Sequence, residues 1–233
     1  MQRWSPEVIR YLHTAADRSR YYTDLARELG AFLHPEDRVC DAGCGLGLLS
    51  RALLPYCGHV TAIDRSPAAI ADLTARGHDP RLTALTGDIR DLPPQRPYDA
   101  MVFCLFGGTD EILDIAARQC GGTALVVRRD FRQHQFSSGI RMAGHTAADM
   151  EQELRRRGLT CTLRRFTLEF GCPAGAGGPA GAVPLAGLSP VSAQSQAPVP
   201  AGHPGGPAEG GSPWIKYSSA APGGWGKAPS SGG

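Results

Sequence analysis

A short apolar segment that runs directly into a glycine-rich turn constrains the fold of this chain more than any other feature. Residues 39–42 are typical of a buried strand, residues 43–47 read Gly-Cys-Gly-Leu-Gly, and leucines then recur on one face of a helix. Strand, glycine turn and helix in this order are typical of open parallel sheets, in which ligands bind beyond the carboxyl ends of the strands. Glycine permits positive φ and close backbone approach, so we expect a ligand to lie against this turn.

Strand and helix patterns alternate through the rest of the first 172 residues. Two amphipathic helices are expected within residues 1–35, the first beginning after Ser5 and Pro6. The further strand patterns occupy residues 59–64, 82–86, 100–106, 123–127 and 160–170, and the further helix patterns occupy residues 66–73, 110–119 and 146–157. This alternation predicts an α/β fold with a Rossmann-like, doubly wound and mainly parallel sheet covered by helices on both faces.

The spacing of the glycines distinguishes between two classes of cofactor. Nicotinamide cofactors are typically bound by G-x-G-x-x-G, whereas the third glycine here comes one residue earlier, at Gly47. An acid, Asp41, also precedes the turn. The segment Asp41-Ala42-Gly43-Cys44-Gly45-Leu46-Gly47 resembles the first motif of class I S-adenosylmethionine-dependent methyltransferases.

The resemblance to this family extends over about residues 36–130. Residues 60–64 are similar to the family's second strand, whose terminal acid, here Asp64, binds the ribose hydroxyls of the cofactor. Residues 86–89 are similar to its third motif, whose acid, here Asp88, faces the adenine amino group. Residues 98–104 match its fourth strand. The resemblance implies S-adenosyl-L-methionine as the cofactor, bound by Asp41, Gly43, Cys44, Gly45, Gly47, Asp64, Arg65, Asp88, Ile89 and Cys104.

Each of the three acids also has a structural alternative. Asp64 stands beside Ser66, where a carboxylate can cap a helix. Asp88 is of the type that hydrogen-bonds the backbone of its own turn. Asp41 either contacts the cofactor amine, directly or through water as in the family, or orients the glycine turn.

The segment after the fourth strand bears on the methyl acceptor. It reads Cys-Leu-Phe-Gly and lacks the Asn/Asp-Pro-Pro-Tyr motif of amino-group methylases of DNA, which favours a small-molecule acceptor over a nucleobase. We expect Phe106, together with Tyr21 and Tyr22 from the N-terminal helices, to line the acceptor pocket. His134 and His145 are the candidates for a general base, and neither has a supporting motif. No residue is assigned to catalysis.

Composition and charge indicate which partners to expect. The formal net charge is +2, so nothing in the charge balance favours nucleic acid or an anionic membrane surface as partner. The sequence has no apolar stretch long enough for a membrane span, and it starts without a signal-peptide pattern, so we expect a cytoplasmic protein. The seven cysteines show no paired C-x-x-C spacing and are expected to be reduced thiols rather than metal ligands.

The composition changes abruptly after Cys172. Residues 1–172 contain 22 arginines and no lysine, whereas residues 173–233 contain two lysines, no arginine, 15 glycines and 11 prolines. The sequence therefore predicts a methyltransferase domain in residues 1–172, with N-terminal helices to residue 35, a cofactor-binding core over 36–130 and a C-terminal part over 131–172. Residues 173–233 are predicted to be a disordered Gly/Pro/Ala/Ser-rich tail, and the usual last antiparallel strand is expected to be missing. Two origins of the tail remain open: translation out of frame, in which case we expect an inactive product, and a natural flexible tail.

Two other functions remain as alternatives. One is a domain that binds the cofactor without turnover, and the other is a nicotinamide-dependent oxidoreductase, which the glycine spacing disfavours.

Overall fold

Six helices and seven strands make up the described part of the chain. The computed structural model describes residues 4–91, 93, 98–128, 146–166 and 168, together with the backbone of residues 212–218. The helices are α1 (Pro6–Asp17), α2 (Tyr21–Gly30), α3 (Leu48–Leu53), α4 (Pro67–Ala75), α5 (Thr109–Gln119) and α6 (Ala147–Arg156), with a 3-10 turn at Leu54–Tyr56. The strands are β1 (Arg38–Ala42), β2 (His59–Asp64), β3 (Leu82–Thr86), β4 (Tyr98–Cys104), β5 (Cys120–Val127), β6 (Thr162–Phe166) and β7 (Ser212–Ser218).

The strands form one sheet in the order β3-β2-β1-β4-β5-β7-β6. All pairs from β3 through β5 are parallel. The chain moves outward from β1 to β3 and then returns to the other side of β1 with β4, so the strand order reverses at β1. This reversal is the switch point at which ligands bind in doubly wound sheets. The predicted α/β, Rossmann-like and mainly parallel fold is confirmed.

The antiparallel end of the sheet corrects one expectation. β7 lies between β5 and β6 and pairs antiparallel with both, with Thr123 opposite Ser218 and Thr162 opposite Lys216. The last antiparallel strand is therefore present, and the expectation that it is missing was wrong, as was disorder throughout the tail. Composition averaged over the whole tail concealed a seven-residue segment that contains the strand-favouring residues Trp, Ile and Tyr.

The rest of the tail, residues 173–211 and 219–233, lies outside the described residues. The domain boundary at residue 172 and the out-of-frame origin of the tail remain predictions.

The sheet is packed on both faces. Alternate residues of β1 enter different clusters, with Cys40 buried beneath α5 and α6 and Val39 buried beneath α2 and α3. A smaller cluster joins α1 to the start of α3 and to α4. Both faces of the central strands β1, β2 and β4 are thus largely removed from water, as a parallel sheet requires, whereas the edge strand β3 is partly exposed.

Helix caps confirm the local signals that mark the start of three helices. The hydroxyl of Ser5 accepts from Val8 N at the start of α1, and the hydroxyl of Ser66 accepts from Ala69 N at the start of α4. Thr146 and Asp149 form a reciprocal capping box at the start of α6. Within the described residues, no helix is long and apolar enough to cross a membrane.

Truncation tests the contribution of β7. We expect a chain that ends at residue 211 to melt at a lower temperature than the full chain, or without a cooperative transition, because β5 and β6 then lose the strand that pairs with both. A chain that ends at residue 219 retains the strand and serves as the control, with an expected melting temperature close to that of the full chain. Thermal unfolding followed by circular dichroism makes the comparison, and identical curves for all three chains would show that β7 does not stabilise the sheet.

Candidate functional site

The carboxyl ends of the parallel strands bring together the acids that the sequence singled out. Asp41 lies at the end of β1, Asp64 ends β2, and Asp88 follows β3 by two residues. Gly87 N donates to Asp64 O at 2.9 Å, which places the segment after β3 beside the end of β2. The three acids therefore lie together at the carboxyl ends of the parallel strands, where the strand order reverses. This row of strand ends is called the carboxyl edge of the sheet.

The glycine turn connects β1 to α3 at this edge. Gly43, Gly45 and Gly47 have φ values of 72°, 54° and 66°, in the left-handed region that residues with a side chain rarely adopt. Gly43 N and Cys44 N both donate to Ile63 O, at 2.8 and 3.0 Å, so the turn is fastened to β2. The turn thus uses the positive φ that glycine permits.

Protein side chains occupy the space that the missing Cβ atoms leave open. A Cβ on Gly43 would lie 2.5 Å from the ring of Phe106, and one on Gly45 would lie 3.0 Å from the ring of Trp4. A Cβ on Gly47 would lie 2.5 Å from Leu73. The glycines thus permit two aromatic rings, from distant parts of the chain, to close over the turn. Sequence reasoning identified Phe106 but missed Trp4, for which the sequence gives no signal beyond its position one residue before the N-cap of α1.

Asp64 joins the glycine turn to the start of α4. Its Oδ2 accepts from Gly45 N at 2.9 Å, and its Oδ1 accepts from Ser66 N at 2.8 Å. This contact places Asp64 beside the N-cap of α4, whereas the cap itself is the Ser66 hydroxyl. It does not exclude a ligand role, because each carboxylate oxygen has two lone pairs and can accept a further hydrogen bond.

Asp88 is held by the arginines around it. Arg90 donates from Nε and Nη2 to the two carboxylate oxygens at 2.9 and 2.5 Å, and its backbone N donates to Oδ1 at 3.0 Å. Nη1 of Arg65 lies 3.4 Å from Oδ2 of Asp88. The hydrogen bonds from the Arg90 side chain, the largest cause, hold the pKa of Asp88 well below its usual range. The turn-forming alternative for Asp88 is observed, and sequence reasoning missed Arg90.

Asp41 occupies the most secluded position of the three acids. It is 1% exposed, and its Oδ2 accepts from the hydroxyl of Ser50 at 2.6 Å. Burial raises the pKa of Asp41 to about 6, the hydrogen bond from Ser50 lowers it, and the charge of Asp64 raises it. Asp41 in turn contributes to raising the pKa of the Cys44 thiol, although burial is the larger cause there.

Ile89 points into the protein rather than toward an open surface. Its side chain is 3% exposed and belongs to the cluster beneath α5, and its carbonyl accepts from the buried amide of Gln119 at 2.5 Å. The contact of Ile89 with the cofactor, which the family resemblance implies, remains a prediction.

The loop after β4 carries the candidate acceptor residues. Leu105 is exposed and has a φ of 53°, Gly107 has a φ of 37°, and buried Arg128 donates from Nη1 to Gly107 O at 2.7 Å. Between them, Phe106 packs against Phe103 with ring centroids 5.6 Å apart. Arg128 was not foreseen, and it fixes the loop that presents Phe106 to the glycine turn.

The two tyrosines lie on the α2 side of the same edge. The rings of Tyr21 and Tyr22 meet edge to face, with centroids 5.1 Å apart. Burial raises the pKa of Tyr22 well above its ordinary value, and the charges of Cys104 and Asp41 raise it further. Cys104 and Asp41 are thus both neighbours of Tyr22. His134 and His145, the candidate bases, lie outside the described residues.

Comparison with protein families identifies the region that contains this edge. Residues 39–121 match a family described as "Methyltransferase domain". The matched segment includes β1 through β4, the glycine turn and all three acids. Among the described residues, no group of three or more His, Cys, Asp or Glu could hold a metal ion.

Two curated bacterial relatives match parts of the chain. A trans-aconitate 2-methyltransferase of Streptomyces avermitilis is 33% identical over 107 residues, which are 42% of this chain and 38% of that protein. A ribosomal RNA small subunit methyltransferase A of Thermobifida fusca is 40% identical over 76 residues, 29% of this chain and 26% of that protein. The matches thus span well under half the length of these relatives.

A solved methyltransferase structure resembles this chain in fold. The magnesium protoporphyrin IX methyltransferase of Synechocystis, solved with bound S-adenosylmethionine, has a TM-score of 0.51 and 16% sequence identity, with 94% of this chain and 99% of that one covered. At this identity the likeness concerns the fold alone.

The buried carboxylate makes a prediction about stability. The pKa of Asp41 is about 6 in the folded chain against 3.8 in its unfolded reference, so the folded state favours the protonated acid. The contribution of Asp41 to the free energy of unfolding is therefore most favourable below its unfolded pKa, and it is lost as the pH rises through its folded pKa. We expect Asp41→Asn to become more stable relative to wild type between pH 4 and 7, by up to roughly 3 kcal/mol, since a pKa difference of one unit corresponds to about 1.4 kcal/mol.

Urea unfolding at pH 4 and pH 7.5 measures this difference. Asp17→Asn, at an exposed position of α1, is the matched control and should show no such trend. A stability difference between Asp41→Asn and wild type that stays constant across this range would contradict the raised pKa.

Proposed function

We propose that this chain, whose residues 39–121 match a methyltransferase-domain family, transfers the methyl group of S-adenosylmethionine to a small-molecule acceptor. The observation that carries the proposal is the convergence of Asp41, Asp64 and Asp88 with the glycine turn at one edge of the sheet. All of them lie within the segment that matches the family.

The donor groups at this edge fit the cofactor. Vicinal ribose hydroxyls need an acceptor that can take two hydrogen bonds, and the carboxylate of Asp64 offers this beside the backbone of the turn. The cofactor's amino-acid end carries a positive ammonium, and Asp41 supplies a carboxylate that is shielded from water. Asp88, fixed by Arg90, presents an acid near the expected adenine position.

When bound, the cofactor supplies an already activated methyl group on a sulfonium. The chain therefore has little acid-base chemistry to perform, and its task is to hold the acceptor in line with the methyl group. Proximity and orientation of this kind can lower a barrier by roughly 7–11 kcal/mol. The loop fixed by Arg128, with Phe106 against Gly43, is positioned to do this and to exclude water from the transfer.

A small-molecule acceptor fits the loop after β4 better than a nucleobase. Residues 104–107 read Cys-Leu-Phe-Gly, and another glycine, Gly108, follows. This loop therefore lacks the planar amide and the tyrosine with which base methylases hold a nucleobase. The name of the Streptomyces relative supports an acceptor with carboxylate groups. The Thermobifida relative, which methylates ribosomal RNA by its name, supports the competing acceptor class. The cytoplasmic location expected from the sequence remains a prediction.

Cofactor binding and transfer are tested on the full chain. Calorimetric titration with S-adenosylhomocysteine should give micromolar affinity, and titration with NAD should give none. Transfer of a radiolabelled methyl group is then compared between a panel of small organic acids and ribosomal RNA. Labelled RNA would overturn the acceptor class, binding without any transfer would favour the non-catalytic alternative, and preference for NAD would overturn the proposal.

A substitution of Asp64 tests the predicted ribose contact. We expect Asp64→Asn to weaken binding of S-adenosylhomocysteine at least about tenfold, because charge-assisted hydrogen bonds are worth over about 1.4 kcal/mol. Asn keeps one side-chain oxygen that can accept from Gly45 N or Ser66 N, so this substitution removes fewer hydrogen bonds from the turn than alanine would. Asp79→Asn, an acid just before β3 that accepts from Arg81 N, is the control. An unchanged affinity of Asp64→Asn would place the ribose elsewhere.

A further inference from the structure

We propose that Ser50 is a positioning residue that holds Asp41 ready to receive the ammonium group of the cofactor's amino-acid end and sets the lower pH limit of cofactor binding. The inference rests on the proposed function, and it concerns a residue to which the methyltransferase resemblance gives no role.

The contact between Ser50 and Asp41 closes a ring around the glycine turn. Asp41 precedes the turn at the end of β1, and Ser50 lies in the first turn of α3, on the other side of it. Their hydrogen bond of 2.6 Å spans the base of the turn, and both residues are buried, at 1% and 0% exposure. The orientation of the carboxylate is thereby tied to the conformation of residues 43–47.

The surroundings of Asp41 make this bond important for its charge. Among the described residues, the titratable groups that interact electrostatically with Asp41 are Asp64 from β2, Tyr22 from α2, and Cys40 and Cys44, which precede and follow it in the chain. The two thiols and the phenol are neutral near pH 7, and Asp64 is an acid. None of these four side chains is a cation that could offset the cost of burying the Asp41 carboxylate. The hydroxyl of Ser50 donates to the ionised form and is the influence that lowers the pKa of Asp41.

The charge state of Asp41 matters for a positively charged ligand group. An ammonium gains a charge-assisted hydrogen bond from the ionised carboxylate and gains much less from the protonated acid. Burial holds the pKa of Asp41 at about 6 with Ser50 in place, so the acid is mostly ionised above that pH. Without the hydroxyl the pKa rises toward neutrality or beyond, and binding of the ammonium weakens at the pH values where wild type still binds.

Two ligands separate this effect from general damage. S-adenosylhomocysteine carries the amino-acid end, whereas 5′-methylthioadenosine has the same nucleoside without it. Calorimetric titration of both ligands into the full chain between pH 5.5 and 8.5 is done for wild type, Ser50→Ala, Ser50→Thr and Thr74→Ala. Thr74 donates its hydroxyl to Ile70 O within α4 and is the matched control for loss of a helix hydroxyl.

The expected result is a shifted pH profile for one ligand only. Because loss of the hydroxyl raises the pKa of Asp41, Ser50→Ala binds S-adenosylhomocysteine about three- to twentyfold more weakly than wild type at pH 6.5, and the deficit shrinks toward pH 8.5. Ser50→Thr, which keeps the hydroxyl, restores the wild-type profile, and Thr74→Ala leaves it unchanged. Binding of 5′-methylthioadenosine has the same pH profile in all four chains.

The outcomes distinguish this inference from the proposed function. Identical pH profiles for S-adenosylhomocysteine in wild type and Ser50→Ala overturn the inference while leaving the proposed function intact, as does equal weakening of both ligands at every pH. Asp41→Asn provides a second test, because it must abolish the pH dependence of S-adenosylhomocysteine binding in this range. A folded wild type that binds neither ligand at any pH overturns the proposed function itself.

Discussion

The carboxylate of Asp64 fastens the two loops on which the rest of the site depends. Through Gly45 N it holds the turn after β1, and through Ser66 N it holds the start of α4. The same residue ends β2, and its backbone is paired with β3, where it lies opposite Thr86. A ligand that adds hydrogen bonds to this carboxylate therefore meets an acceptor that is already oriented, and the cost of ordering it has been met during folding.

Two aromatic residues complete the edge from opposite directions. Trp4 reaches Gly45 from the N-terminal segment, and Phe106 reaches Gly43 from the loop after β4. Both approaches require that the turn lack side chains, so the glycines serve the packing of the protein as well as the backbone conformation. A ligand at this edge would lie against a surface shaped by residues about a hundred positions apart in the chain.

Asp41 illustrates a conflict between stability and function. A buried carboxylate with one hydrogen-bonding hydroxyl costs stability at neutral pH, and a protonated or amide side chain would fit the unliganded fold better. Such a cost is characteristic of positions where a charge is kept for a ligand. The bond to Ser50 reduces the cost without neutralising the charge.

The sequence by itself determined the parallel sheet, the glycine turn and the placement of three acids at one edge, because local patterns encode them: strand periodicity, glycine spacing and an acid at the end of each strand. Only the tertiary structure decided which partners these groups have. Arg90 on Asp88, Ser50 on Asp41 and Arg128 beneath the loop of Phe106 are contacts between residues whose types carry no signal of pairing. The tertiary structure also decided the place of residues 212–218. Their strand-favouring side chains allow a strand, but pairing with both β5 and β6 is what places it between them.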